Sequence, residues 1–212
     1  MRAAVYERYG PPEVVSIREV PTPTPKHGEV LIRIRATTVS TGDWRARSLA
    51  MPPGFGPFGR LAFGISRPRQ PILGTELSGV IEAVGEGVSA FNVGDEVFAF
   101  GDAKMGCHAE FRTIATNGLV ARKPTNLSFE QAAALSFGGM TALSFFRRGA
   151  LANGERVLVN GASGSVGSAA VQLARHFGAE VTAVCGRANV ELVRGLGAHA
   201  VIDYTSADFT AN

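Results

Sequence analysis

From Val157 to Gly178 the sequence reads VLVNGASGSVGSAAVQLARHFG, with Gly161, Gly164 and Gly167 at three-residue steps between a strand-like run and a run of helical period. Glycines so spaced at a strand-to-helix junction constrain the fold more than any other feature of the chain. Gly161 permits a sharp turn, Gly164 lets backbone N–H groups approach a pyrophosphate, and Gly167 lets the helix pack close on the strand. The helix N-terminus adds partial positive charge, so a phosphate belongs there. The motif is short, and the strand before it and the helix after it supply its meaning.

The neighbouring sequence continues the alternation: a strand from Arg156 to Val159, a helix from Val166 to Phe177 closed by Gly178, a strand from Val181 to Cys185, a helix from Val190 to Leu196 ended by Gly197, and a strand from Ala200 to Asp203. This βαβαβ order predicts one mononucleotide-binding half of a doubly wound parallel sheet. Ser206 to Phe209 reads as the opening of a further helix. NAD enzymes place Asp or Glu at the tip of the second strand against the ribose 2′-OH. This chain has Cys185-Gly186-Arg187-Ala188-Asn189 instead, so a 2′-phosphate is attracted and NADP(H) is favoured. A solvated loop charge is the other reading of Arg187.

Up to about Pro124 the period is two. Strands are expected at Arg2 to Tyr6, Val14 to Val20, Val30 to Thr38, Leu77 to Val84, Asp95 to Phe100 and Glu110 to Ala115, with Gly and Pro turns between them. Many short strands predict a small, mostly antiparallel barrel or sandwich. Residues 49–71 differ: PPGFGPFGRLAFGISRPRQP carries five Pro, four Gly, three Phe, three Arg and no acidic residue. It reads as a long loop, either a surface excursion or a lid whose phenylalanines wall an apolar pocket. Ser128 and Gln131 form a capping-box pattern opening a helix to Leu135. Gly138-Gly139 interrupts it, and Thr141 is expected to cap a second helix ending at Gly149.

Charge and composition exclude several classes. The 212 residues hold 21 Lys and Arg against 18 Asp and Glu, a net +3 with the signs mixed, which is no footprint for nucleic acid. With 45% hydrophobic and 18% charged residues, neither disorder nor a coiled coil fits. The longest uncharged run, from Val157 to Ala174, is too rich in Ser, Gly, Asn and Gln to span a membrane. Cys107 and Cys185 are too few for a disulfide framework, and with no export signal at the start a cytoplasmic, reducing location is expected.

With these residues in hand, the chain resembles the medium-chain dehydrogenase/reductase superfamily, in particular its zinc-free quinone oxidoreductase (zeta-crystallin-like) branch. The resemblance runs from Met1 to the last residue. It is carried by MRAAVYERYGPPEVV, GEVLIRIRATTVSTGDW, ILGTELSGVIEAVGEGVSAFNVGDEVFAF, AAALSFGGMTAL, GASGSVG and LGAHAVIDY. It implies an α/β fold with an all-β part: a GroES-like barrel over residues 1–124, connecting helices over 125–150, and the first half of an NADP-binding Rossmann domain over 151–212. A doubly wound sheet has about six strands, so the resemblance also implies a longer polypeptide, of which this sequence is a fragment.

The resemblance places Ser40, Asp43 and Trp44 of VSTGDW beside a nicotinamide, with Thr141 on the helix facing it. Members commonly have Asn-Pro where this chain has Ser40-Thr41, and Asp43 reads equally as a buried carboxylate pinning a turn. Gly161, Ser163, Gly164, Ser165 and Val166 are expected at the pyrophosphate, and Gly186, Arg187 and Tyr204 at the adenosine ribose phosphate. Zinc-dependent members carry a cysteine near Ser40 and a histidine at Thr75; these hydroxyls, with Glu76 alone retained, predict no metal. Cys107 and His108 are adjacent where the family has a small-residue turn, and His27, His176 and His199 read as isolated. The activity implied is NADPH-dependent hydride transfer to quinones, enones or related small carbonyl compounds. The alternative is a dinucleotide-binding protein without turnover, as among crystallins recruited from this family; an RNA-binding role has only family precedent. The expected partner is a small molecule, with no nucleic acid and no membrane, and a homodimer for the full-length family.

Overall fold

A computed structural model of the chain describes residues 1–101 and 104–208. These fall into two compact units, Met1–Ala134 and Leu135–Asn212.

The first unit is built on β-structure. Strands β1 (Arg2–Tyr6) and β2 (Val15–Glu19) pair antiparallel. Strands β3 (Glu29–Thr37), β4 (Glu76–Val84), β5 (Glu96–Phe100), β6 (Phe111–Ala115) and β7 (Val120–Arg122) form an antiparallel sheet in the order β6-β3-β4-β5-β7. All six expected strands are present, with ends moved by at most one residue; the seventh, β7, is three residues long, too short to alternate visibly. Register shifts at Leu31/Ile32 and Ile34/Ala36 break the β3–β4 ladder. Such irregularities sharpen twist and curl the sheet around Val30, Ile32, Leu77, Ile81, Val97, Phe91 and Ile114.

Two helices lie where sequence periodicity shows none. Helix α1 (Thr41–Ser48) follows Ser40, and α2 (Gly56–Phe63) occupies the middle of the segment expected to be one long loop. Glycine and proline density hides α2, yet proline is tolerated in a first helical turn, and Gly64, at φ +127°, ends the helix. Phe63 faces inward, packing on the cluster of Tyr6, Ala46, Leu73 and Met105. Helix α3 (Phe129–Ala133) has the expected capping box: the Gln131 N–H donates to Ser128 Oγ at 3.3 Å, and the Ser128 N–H to Gln131 Oε1 at 3.0 Å.

The second unit opens with α4 (Ser136–Arg148), which corrects the expected interruption at Gly138-Gly139. The helix runs through both glycines, and Thr141 lies in its interior and caps nothing. A Cβ at Gly138 would come within 2.6 Å of the Ser165 carbonyl, so the glycine is there for close packing. Then follow β8 (Arg156–Asn160), α5 (Ser165–His176), β9 (Glu180–Cys185), α6 (Val190–Gly195) and β10 (Ala200–Asp203), as the alternation predicts. The strands are parallel in the order β10-β9-β8, over a core that includes Val159, Val171, Val181, Ala183 and Val193. Gly178, at φ +79°, is the left-handed residue that closes α5. After β10, Tyr204 to Ser206 form a turn in place of the expected helix start, and Phe209 lies outside the described residues.

Candidate functional site

The glycine turn in the second unit is hung from the sheet. The N–H groups of Gly161 and Ala162 both donate to the Val184 carbonyl, at 3.1 and 2.9 Å. Gly161 has φ +74°, a conformation glycine adopts freely. Gly167 is buried, and a Cβ there would stand 2.7 Å from Ala162 Cα, so α5 reaches its strand only because the side chain is absent. Gly164 is the N-cap of α5 and supplies no side-chain cap. The first intrahelical bond joins the Ser168 N–H to the Gly164 carbonyl at 2.8 Å. The N–H groups of Ser165, Val166 and Gly167 therefore have no acceptor within the helix. Gly161, Gly164 and Ser165 are exposed and Ser163 half-buried, so the donors line an open cradle of a kind that takes a phosphate.

The tips of β9 and β10 form a second cluster. Parallel register sets Asp203 beside Cys185, which brings Arg187 Nε to 3.2 Å from Asp203 Oδ2. Asp203 also accepts from the Thr205 N–H (3.0 Å) and Oγ1 (2.6 Å). Those bonds, then Arg187, hold its carboxyl below the usual aspartate value. Tyr204 is exposed, and its hydroxyl stands over Gly186, where a Cβ would sit 3.2 Å away. Burial raises the Cys185 thiol and the Asp203 charge adds to it, keeping it protonated beside this cluster. The structure thus groups Gly186, Arg187 and Tyr204. It adds Asp203, which sequence inspection passed over because its partner is set by strand register.

In the first unit, Ser40 caps α1 in a capping box. The Ser40 N–H and Oγ both donate to Asp43 Oδ2 at 2.8 Å, and the Asp43 N–H returns to Ser40 Oγ at 3.4 Å. Asp43 Oδ1 accepts from the Gly74 N–H at 2.8 Å. With 2% exposure and three donors, this carboxylate ties the start of α1 to the strand entering β4. Nearby, the His108 Nε2–H donates to the Thr38 carbonyl (2.8 Å), and Thr38 Oγ1 donates to Glu76 Oε2 (2.6 Å). Trp44 is 48% exposed on the outer side of α1. Thr141 belongs to the second unit, half-buried on α4, three residues beyond Gly138 and so on its side of the helix. His199, isolated by sequence, accepts the Val181 N–H on Nδ1 at 3.0 Å.

Residues 26–142, more than half of the chain, match the alcohol dehydrogenase GroES-like domain, and residues 165–212 match the zinc-binding dehydrogenase family. The chloroplast envelope quinone oxidoreductase homolog of Arabidopsis thaliana is 35% identical over 224 residues, covering 100% of this chain and 63% of its own length. A quinone oxidoreductase of Rattus norvegicus is 37% identical over 213 residues, covering 99% and 60%. The chain belongs to the medium-chain dehydrogenase/reductase superfamily, in its quinone oxidoreductase branch. Among solved structures of that superfamily, the Coxiella burnetii quinone oxidoreductase matches with a TM-score of 0.86 at 29% identity, covering 100% of this chain and 64% of the other. The Escherichia coli quinone oxidoreductase complexed with NADPH matches with 0.83 at 28%, covering 100% and 61%. The chain therefore spans about three fifths of the length of these relatives.

One superfamily feature does not fit these residues. A catalytic zinc takes three nitrogen, sulfur or carboxylate ligands, and the donors near Ser40 and Thr75 are otherwise engaged. Glu76 accepts from Thr38, His108 donates to a carbonyl, and Asp43 holds three protein donors. The Cys107 thiol is fully buried and pushed up to about 12 by that burial. Among the described residues no group of three or more His, Cys, Asp or Glu could hold a metal ion. A dinucleotide phosphate, by contrast, suits the unbonded amides of the glycine turn.

Proposed function

We propose that the protein is a zinc-free, NADP(H)-dependent oxidoreductase that acts on quinones, enones or related small carbonyl compounds. The observation that carries this reading is the pairing, on one parallel sheet, of the open amide cradle at Gly161–Gly167 with the Gly186, Arg187 and Tyr204 cluster. Ser163, Gly164, Ser165 and Val166 bind the pyrophosphate through N–H and hydroxyl donors. Arg187 turns its guanidinium from Asp203 to the ribose 2′-phosphate, where a doubly charged acceptor outcompetes a single carboxylate. Gly186 leaves room for the ribose beneath the Tyr204 hydroxyl. When bound, NADPH supplies the hydride. The complex of the Escherichia coli relative with NADPH supports the choice of cofactor.

In this reading the family resemblance gives substrate-side roles to Ser40 in the first unit and to Thr141 in the second, and the Ser40 hydroxyl already donates its proton to Asp43 Oδ2. Asp43 is a positioning residue in this reading, because its three hydrogen bonds fix the Ser40 hydroxyl and the Gly74 backbone. Quinones and enones are electrophilic enough to take their proton from solvent, so no dedicated acid is required. The partner is a small-molecule acceptor rather than nucleic acid, the resemblance implies a homodimer for the full-length family, and the free thiols suit the cytoplasm.

Loss of NADPH absorbance with phenanthrenequinone, with and without a chelator, tests the reading. Turnover that the chelator leaves unchanged is expected. Tight NADPH binding with no turnover across an acceptor panel contradicts it in favour of a binding protein.

A further inference from the structure

Helix α2 presents an unpartnered face. Phe55 at the N-cap, Phe58 and Leu61 recur every three residues, which at helical spacing sets them on one side, and Ile65 follows just beyond the end of the helix. They are 58%, 68%, 62% and 68% exposed. Phe55 and Phe58 lean together with ring centroids 6.2 Å apart, while Gly59 and Phe63 point inward. Single exposed apolar residues are ordinary, but four large ones in eleven positions form a patch that needs a partner.

Charge decides which partner. Arg60 lies within α2, Arg67 and Arg69 follow it in the chain, and no acidic residue occurs between Trp44 and Thr75. Arg60 Nη1 donates to the Ile65 carbonyl at 2.7 Å, holding a guanidinium at the end of the apolar face. Arg67 and Arg69 line an open hollow with Tyr6, Pro68, Pro71 and Glu7, and Glu7 is already paired with Arg18 at 2.8 Å. None of the three arginines forms an ion pair among the described residues. Two copies of the chain meeting face to face through this patch would set arginines against arginines. A lipid surface with anionic headgroups neutralises them and takes up the phenylalanines at the same time.

We infer that α2 and the arginines that follow it form a docking face for anionic membranes, on which the protein lies without spanning. Among the described residues no helix is long and apolar enough to cross a bilayer, and surface binding requires none. This changes the expectation of no membrane partner, which rested on the absence of a span.

Co-sedimentation of the 212-residue chain with phosphatidylcholine vesicles, with or without phosphatidylglycerol, tests the inference. The chain should pellet with the anionic vesicles, remain in solution with the neutral ones, and be released by added salt. Arginine contributes roughly fivefold per residue near an anionic surface, so Arg67→Gln with Arg69→Gln should weaken binding about twenty-five-fold. Phe58→Glu with Leu61→Glu should abolish it while leaving the circular dichroism spectrum unchanged, since both side chains are exposed. Absence of binding to either vesicle overturns the inference, as does wild-type binding by the Phe58/Leu61 variant. So does a dimer in lipid-free light scattering that this variant dissociates, which would assign the face to a second copy.

Discussion

In the proposed site the Arg187 guanidinium is the group that chooses between two dinucleotides. Arg187→Ala should weaken NADPH far more than NADH, since only NADPH carries the 2′-phosphate; binding measured for both cofactors checks this. Arg187 was legible in the sequence because it follows directly on a strand tip. Asp203 was not, because only the register of β10 on β9 brings it there. Burial also sets an alkaline limit. It pushes the Tyr6 hydroxyl from 10.0, and the Cys107 thiol from 9.0, up to about 12. Both groups bind their protons more tightly folded than unfolded, so their stability contribution is whole below pH 9 and is lost as pH rises toward 12. Denaturant midpoints should fall across that window, and Cys107 should resist alkylation at pH 8 until the chain unfolds.

Among the elements, the strands and the βαβαβ alternation follow from local periodicity, and so does α3, whose box Ser128 and Gln131 spell out. Ser128→Ala should cost about 1 kcal/mol in chemical denaturation. Helix α4 shows where local reading stops. Gly138 looks like a breaker in sequence, but its reason lies in Ser165, which is distant in the chain. Gly138→Ala should therefore lower stability by about 1–3 kcal/mol, although alanine is the better helix former, and should weaken NADPH by displacing the first turn of α5. A gain in stability would show that the helix approach is slack. Helix α2 was hidden for a related cause: its Gly and Pro content argues for a loop, and only burial of Phe63 against Tyr6 and Met105 makes the helix worth forming.

For the molecule as a whole, each of the two units has a main core of its own among the described residues. One lies around Leu77 and Ile32 and the other around Val171 and Val181. Leu77→Ala removes a fully buried side chain from the first, at a cost of about 3 kcal/mol. Chains with two cores need not unfold in one step, so this substitution should lower the transition of the first unit and leave NADPH binding by the second intact below it. The fold class was legible in the sequence because each core is signalled by its own periodicity. The hydrogen bonds of Ser40 and Asp43 were less so, because they form only once α1 is in place. In the proposed function the glycine turn and Arg187 together form an NADP(H) site. Calorimetric titration of the wild-type chain and Arg187→Ala with NADPH and NADH tests it most directly. The wild-type chain should bind NADPH at least about tenfold more tightly than NADH, and the substitution should erase the difference. Equal affinities in the wild-type chain, or a preference for NADPH that survives the loss of Arg187, would contradict it.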